Sequence, residues 1–295
     1  LHRLLPVQLP ADAAMDSSHT KTFILLAAHL SRMKLMTDYV TDQRSVLDQC
    51  TRILNAMLDI ALLRKWLSTA VSVVILMQTL AQANWHTDHP LMVLPHFNEE
   101  IIERIGPDCT IPLLKDQFRL DGANVEQARK KAIKKILDAV DALLRWPVLQ
   151  PKKFILHSES GSSYEVDYLQ DERWPEYVQV EADASYRIVF SVEMIGPYKF
   201  ETDAFCPRFH KERTAGWIVI VGEKDTGEAL CCKKFPPVAG FRHLSIPFRI
   251  PKRLGRHIFT VFILSDSYLG VDQEYNLHCD IIAKTGANNG GKSLD

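Results

Sequence analysis

The chain has 295 residues, 46% of them hydrophobic and 24% charged, with a formal net charge of −1. This is ordinary globular composition, and the length suggests two or three domains. Near-neutrality, shared by residues 1–150 (17 basic, 16 acidic) and 151–295 (18 and 20), excludes the global basic field of a nucleic-acid coat.

The opening Leu1-His2-Arg3-Leu4-Leu5 carries no initiating Met and reads as a cut through structured sequence. From Thr20 to Trp146 the apolar spacing is helical. Phe23–Leu30 lies in a first helix. A second runs from about Asp42 to Lys65, with Thr41 or Asp42 as its cap. Its residues Val46, Leu47, Cys50, Ile53, Leu54, Met57, Leu58 and Ala61 recur at three and four, as a core-facing stripe does. A third helix, Ser68 to Asn84, is apolar nearly all round and is expected at the centre of a bundle. Its segment Ala70–Met77 is far short of the roughly 20 apolar residues that span a bilayer, so no membrane partner is expected.

Pro90 and Pro95 then break the chain. Asn98 caps a short helix ended by Gly106-Pro107, Ile111–Leu114 begins another short piece, and Asn124 starts a helix to about Leu144. After Pro151 the pattern becomes β. Val178–Ala182, Tyr186–Met194, Trp217–Val221, Leu230–Phe235, Leu244–Phe248, Ile258–Ser265 and Tyr275–Ile281 are short β-branched and aromatic runs separated by turn formers. Seven such strands predict a sandwich of immunoglobulin or fibronectin type III kind. The fold class is therefore α+β multidomain. The expected modules are a helical bundle over 1–92, a helix-loop-helix over 93–150, the sandwich over 151–283 and a disordered tail over 284–295.

Motifs that carry chemistry are scarce. Gly286-Ala287-Asn288-Asn289-Gly290-Gly291-Lys292-Ser293 matches GxxxxGK[ST], but a phosphate loop needs a helix behind it, and the sequence stops two residues later. His86 and His89 flank Asp88 without further ligands at metal spacing. Asp266, Ser267 and His278 lack a nucleophile-elbow context. Cys50, Cys109, Cys206, Cys231, Cys232 and Cys279 form no CxxC and read as reduced, buried thiols. No catalytic residue, metal or cofactor is expected in this piece of chain. Trp217 beside Gly216, and Trp174-Pro175, read as core and edge packing. Ser265–Tyr275 is a long polar connection, either structured by its own turns or a partner surface.

Two polar helix faces remain. Arg44, Asp48, Arg52, Asn55 and Asp59 recur at three to four residues along the second helix, opposite its apolar stripe. Such a face either tracks a phosphate backbone or is merely solvated. Arg129, Lys130, Lys131, Lys134 and Lys135 offer phosphate contacts, or a solubilising face, on the helix after Asn124.

Several segments together resemble the Sec-63 homology unit of two-cassette, Ski-2-like superfamily-two helicases. They are His19-Thr20-Lys21-Thr22 with Ala28–Arg32, Trp66-Leu67, Gln78, Trp85, Leu94-Pro95, Pro207-Arg208-Phe209, Gly216-Trp217 and Ser265-Asp266-x-Tyr268-x-Gly270-x-Asp272-Gln273-x-Tyr275. The resemblance covers nearly the whole chain. It implies the same three-module layout, a ratchet helix at the second helix, and a non-catalytic module beside an ATP-dependent helicase core of the same polypeptide. It also implies single-stranded RNA or DNA and proteins of a larger nuclear complex as partners. One departure stands out: related units often place Gly before the Trp at the ratchet-helix exit, where this chain has Lys65. Two other readings stay open, a protein–protein scaffold of a pseudo-helicase cassette and a subunit domain of the endoplasmic-reticulum translocon.

Overall fold

A computed structural model describes residues 5–9, 13–111, 113–114, 134–159, 161–166 and 177–284. The protein is α+β, with five α-helices and nine strands among these residues. Three helices come first: α1 (Ser18–Leu30), α2 (Thr37–Leu63) and α3 (Leu67–Gln82). A 3-10 turn (Pro90–Val93), α4 (Glu99–Ile105) and α5 (Lys134–Arg145) follow. The strands are β1 (Val148–Ser158), β2 (Ser163–Val166), β3 (Val178–Glu181), β4 (Ser185–Ile195), β5 (Trp217–Glu223), β6 (Glu228–Phe235), β7 (Phe241–Arg249), β8 (Gly255–Ser265) and β9 (Gln273–Ile282).

The strands form a four-stranded sheet ordered β2-β1-β4-β7 and a five-stranded sheet ordered β3-β9-β8-β5-β6. Only β3–β9 pairs in parallel; the other ladders are antiparallel. The two sheets face each other in a sandwich-like arrangement. Phe154 of β1 stacks on Phe190 of β4 and meets Tyr275 of β9, and Phe248 of β7 meets Phe259 of β8.

The central strands explain how the helices attach. All seven residues of β5 are buried. Side chains alternate between faces in a strand, so Trp217, Val219 and Val221 enter the core between the sheets, while Ile218 and Ile220 enter a second core with α2 and α3. β8 repeats the pattern, with Phe259, Val261 and Ile263 on one side and Phe262 and Leu264 on the other. The helices thus cover the outer face of the second sheet.

Close backbone contact completes the joint. Helix α2 ends in a Schellman motif: the Trp66 amide donates to Ala61 O at 2.8 Å and the Lys65 amide to Leu62 O at 3.0 Å. Lys65 takes φ +60°, the left-handed region that glycine favours, so the turn keeps the geometry without the glycine. The next peptides pair with the β5–β6 hairpin, Leu67 N donating to Gly227 O and Ala229 N to Lys65 O. Lys65 Nζ also reaches Glu228 Oε1 at 2.8 Å. Gly222 makes room for this approach, because a Cβ there would lie 2.7 Å from Leu67 Cδ1 and 2.9 Å from Glu228 O. Gly222→Ala is therefore expected to destabilise the chain by about 1–3 kcal/mol, read by urea unfolding.

Three expectations need correction. Helix α2 starts five residues earlier than Asp42, and its N-cap, Met36, makes no side-chain cap bond, so neither Thr41 nor Asp42 caps it. Only Leu47, Leu54, Leu58 and Ala61 of its apolar set are buried; Ile53 and Met57 are 55% and 44% exposed. Strands β1 and β2 were not anticipated, and β1 crosses position 150. Pro151 hides β1 in the sequence, yet it pairs with Val192 on one side only, since β2 reaches no further than Phe154. A bulge between Lys152 and Ile155, with Lys153 at φ +41°, absorbs the irregularity.

Candidate nucleic-acid interface

Helix α2 carries the candidate face, and its partners decide what each residue does. Asp48 Oδ1 lies 2.5 Å from Lys211 Nζ and 3.0 Å from His210 Nε2, both in the connection before β5. The neighbouring Lys211 ammonium holds the Asp48 carboxyl below its ordinary range. One end of α2 is tied there. At the other end, Lys234 Nζ of β6 donates to Asp59 Oδ1 at 3.1 Å and to Asn55 Oδ1 at 3.3 Å. Asp48, Asn55 and Asp59 therefore reach partners on the sheet side while staying open to solvent, the Asp59 side chain being 63% exposed.

Arg44 and Arg52 differ. Both are exposed, and neither makes an ion pair or side-chain hydrogen bond among the described residues. They lie eight residues apart, about 12 Å along the helix axis. The apolar flank is also open: Ile53, Met57 and Ile60 are 55%, 44% and 55% exposed, and they succeed one another at helical spacing.

The other candidate cations lie largely outside the described residues. Arg129, Lys130 and Lys131 do so entirely. Lys134 and Lys135 open α5, and only their backbone is described. The GxxxxGK[ST] match at 286–293 and Trp174-Pro175 also fall outside.

The remaining motifs have structural partners. His89 Nδ1 accepts from Leu91 N and its Nε2 pairs with Pro107 O. No group of three His, Cys, Asp or Glu among the described residues is placed to hold a metal ion. Asp266 Oδ1 accepts from Gly216 N and Ser267 Oγ. Trp217 is core. The six cysteines are unbridged; burial pushes the Cys206, Cys231 and Cys279 thiols up to about 12. Only Cys109 and Cys279 are fully buried, the others being half-buried.

The Ser265–Tyr275 connection is interior. Ser265, Ser267, Tyr268, Leu269 and Val271 are all buried. Gln78 of α3 anchors it, its Nε2 donating to Ser265 O at 2.7 Å and to both Asp272 oxygens at 3.0 and 2.9 Å. Gln82 donates to Ser267 O at 2.7 Å. Apart from the exposed Gly270, Asp272 and Glu274, this segment is interior and interlocks α3 with the β8–β9 connection. Arg208 performs a similar brace: it donates to Val93 O at 3.2 Å, while Arg32 donates to Met92 O and Ala83 O.

Comparison with known proteins gives these features a context. The model of the Sec63 Brl domain family matches residues 1–278. The chain belongs to this family. The mouse "Activating signal cointegrator 1 complex subunit 3" is 31% identical to this Sec63 Brl domain over 316 residues, covering 96% of the chain and 14% of the relative. The bovine counterpart is 32% identical over 313 residues, at 95% and 14%. The fruit-fly "U5 small nuclear ribonucleoprotein 200 kDa helicase" is 29% identical over 291 residues, covering 95% of the chain and 12% of the relative. The chain thus spans about one seventh of the length of the first two relatives. A solved CARDB domain from Pyrococcus furiosus aligns with a TM-score of 0.26 at 9% identity, too little to bear on the fold.

Residues that sequence reasoning missed at this interface are His210, Lys211 and Lys234. No local signal marked them. Lys234 is a polar position of an alternating strand, and only the packing of α2 on β6 brings it to the helix.

Proposed function

We propose that this Sec63 Brl domain is a non-catalytic module of an ATP-dependent RNA or DNA helicase that guides the separated single strand along α2. The layout is taken as a helical bundle (1–92), a helix-loop-helix (93–150) and a fibronectin type III-like sandwich (151–283). ATP hydrolysis belongs to a helicase core elsewhere in the same polypeptide. The relatives' names support this: one is a helicase of the U5 ribonucleoprotein, another a subunit of a signal-cointegrator complex. A nuclear location, with cytoplasmic presence as well, and further protein partners follow from the same reading.

The observation that carries it is the pair Arg44 and Arg52, exposed and without a partner among the described residues on the helix that the family likeness casts as the ratchet. Guanidinium groups suit phosphate, and each neutralised phosphate steepens the salt dependence of single-strand binding by about 0.7. Fluorescence anisotropy with a labelled oligouridylate tests this. The chain is expected to bind at low salt. Arg44→Glu with Arg52→Glu should weaken binding at least about tenfold and flatten the salt slope by about 1.4. Unchanged binding in that variant, or none by the parent chain, overturns strand guidance by these residues.

The scaffold reading has its own support in the open Ile53–Met57–Ile60 flank, an apolar ridge of the kind that packs against protein. The translocon reading has no comparable observation. No helix among the described residues is long and apolar enough to cross a membrane.

A further inference from the structure

We infer that the strand's phosphodiester backbone runs in the seam between α2 and the edge of the second sheet, where Lys211 and Lys234 bind phosphate alongside Arg44 and Arg52. This rests on the strand-guiding reading and extends it to the β half of the chain.

The geometry comes from the two anchor points of α2. Lys211 meets Asp48 near the helix's first half, and Lys234 meets Asp59 near its end. Eleven residues separate the two acids, about 16 Å of helix, and Arg52 lies between them. Arg44 extends the line one turn beyond Asp48. The four cations therefore follow one edge of α2 for about 22 Å, two from the helix and two from the sheet side. The acids paired with them among the described residues are Asp48 and Asp59, two carboxylates beside four cations.

The lysines are engaged but not sealed. Their side chains are 57% and 43% exposed. Exposed lysine–carboxylate pairs are weak and easily screened, so a phosphate oxygen can displace the carboxylate and gain a bond of the same kind. An ammonium carries three donors, and Lys234 spends its recorded bonds on Asn55 and Asp59. Beside Lys211, His210 Nε2 lies 3.0 Å from Asp48 Oδ1, while its Nδ1 is buried without a hydrogen bond among the described residues, so one polar atom is left over at the seam. Asp48 and Asp59 act here as occupants that a polyanion replaces.

A plainer role for these lysines is to tie α2 to the sheet, and for Lys234 also to blunt the edge strand β6. The two roles predict opposite signs for the acidic partners. If Asp48 and Asp59 compete with phosphate, Asp48→Asn with Asp59→Asn frees both ammonium groups. The 295-residue chain carrying this pair should bind a labelled oligouridylate of about 20 nucleotides roughly three- to tenfold more tightly, with a salt slope steeper by up to about 1.4. Lys211→Gln with Lys234→Gln should do the reverse. Thermal unfolding of each variant confirms that it is folded.

Unchanged or weaker binding by the asparagine pair overturns the inference and leaves the seam a brace. If binding depends on Arg44 and Arg52 but on neither lysine, strand guidance stands and the seam path falls. If the parent chain binds no oligouridylate at low salt, both fall together.

Discussion

Replacing Trp146 with alanine is expected to destabilise the protein by about 3–5 kcal/mol, among the largest losses a single substitution can cause here. Trp146 is nearly fully buried where α5 hands over to β1. Its indole Nε1 donates to Leu269 O at 3.0 Å, and its ring meets Tyr268 edge-on at 5.1 Å between centroids. The Tyr268 hydroxyl oxygen in turn accepts from Phe205 N at 2.7 Å. Truncation leaves a cavity and an unpaired buried carbonyl at one stroke. Trp146→Phe separates the two effects: it keeps most of the volume and loses the donor, at a cost of about 1–3 kcal/mol. Urea unfolding at neutral pH measures both. A loss below about 1 kcal/mol for the alanine variant would show that α5 is not held through this residue.

Gln78→Leu is expected to cost about 1–3 kcal/mol at pH 7, because it strips the Asp272 carboxylate of its side-chain donor and leaves Ser265 O unpaired. The Ser265 amide alone would then hold Asp272. The pH dependence checks the assignment. Burial raises Asp272 from 3.8 to about 6, against the opposing bonds from Gln78 and Ser265, and the nearby Glu274 charge adds to the rise. The folded state therefore keeps this proton more tightly than the unfolded chain does. Its contribution to stability is full below pH 4 and is lost as pH rises through about 6; because solvent also reaches this residue, the loss stays well below the roughly 3 kcal/mol that the whole shift would give. Asp272→Asn should flatten the stability curve between about pH 4 and pH 6. Gln78→Leu, which removes a bond to the charged form, should cost less at pH 5 than at pH 7. Parallel curves for the parent chain and Asp272→Asn would exclude Asp272 as the titrating group.

Glu223 runs the other way. Burial pushes its carboxyl up, but bonds from His257 Nδ1 at 2.6 Å and Thr226 Oγ1 at 2.8 Å, with the Arg253 charge, hold it below its ordinary range. Its contribution is present above the unfolded value and lost as pH falls. The Asp272 window lies higher, so the two are separable on one titration.

Much of this was legible in the residues themselves. Apolar spacing placed α1, α2 and α3 to within a few residues, and Asn98 marked α4, whose Ile101 amide it caps at 3.0 Å. The seven strand runs all exist, since β-branched and aromatic runs bounded by turn residues mark strands. β1 escaped because Pro151 and two lysines interrupt that alternation, and a bulge after an unpaired edge is a tertiary accommodation. Ile53 and Met57 escaped for a related reason. Periodicity gives the width of an apolar stripe, but the neighbours that cover it decide how much is buried.

The candidate site divides in the same way. The helix, the polar residues along it and the family likeness from which a strand-guiding role is proposed were all readable from residue order. Packing sets which of those residues have partners. Asp48, Asn55 and Asp59 carry the same local signal as Arg44 and Arg52, yet Lys211 and Lys234, more than 160 residues away in the chain, pair with the first three and leave the arginines without a partner among the described residues. Charge pairing acts over a few ångströms of space, not over sequence spacing. A face read from one helix is therefore incomplete until the sheet beneath it is in place.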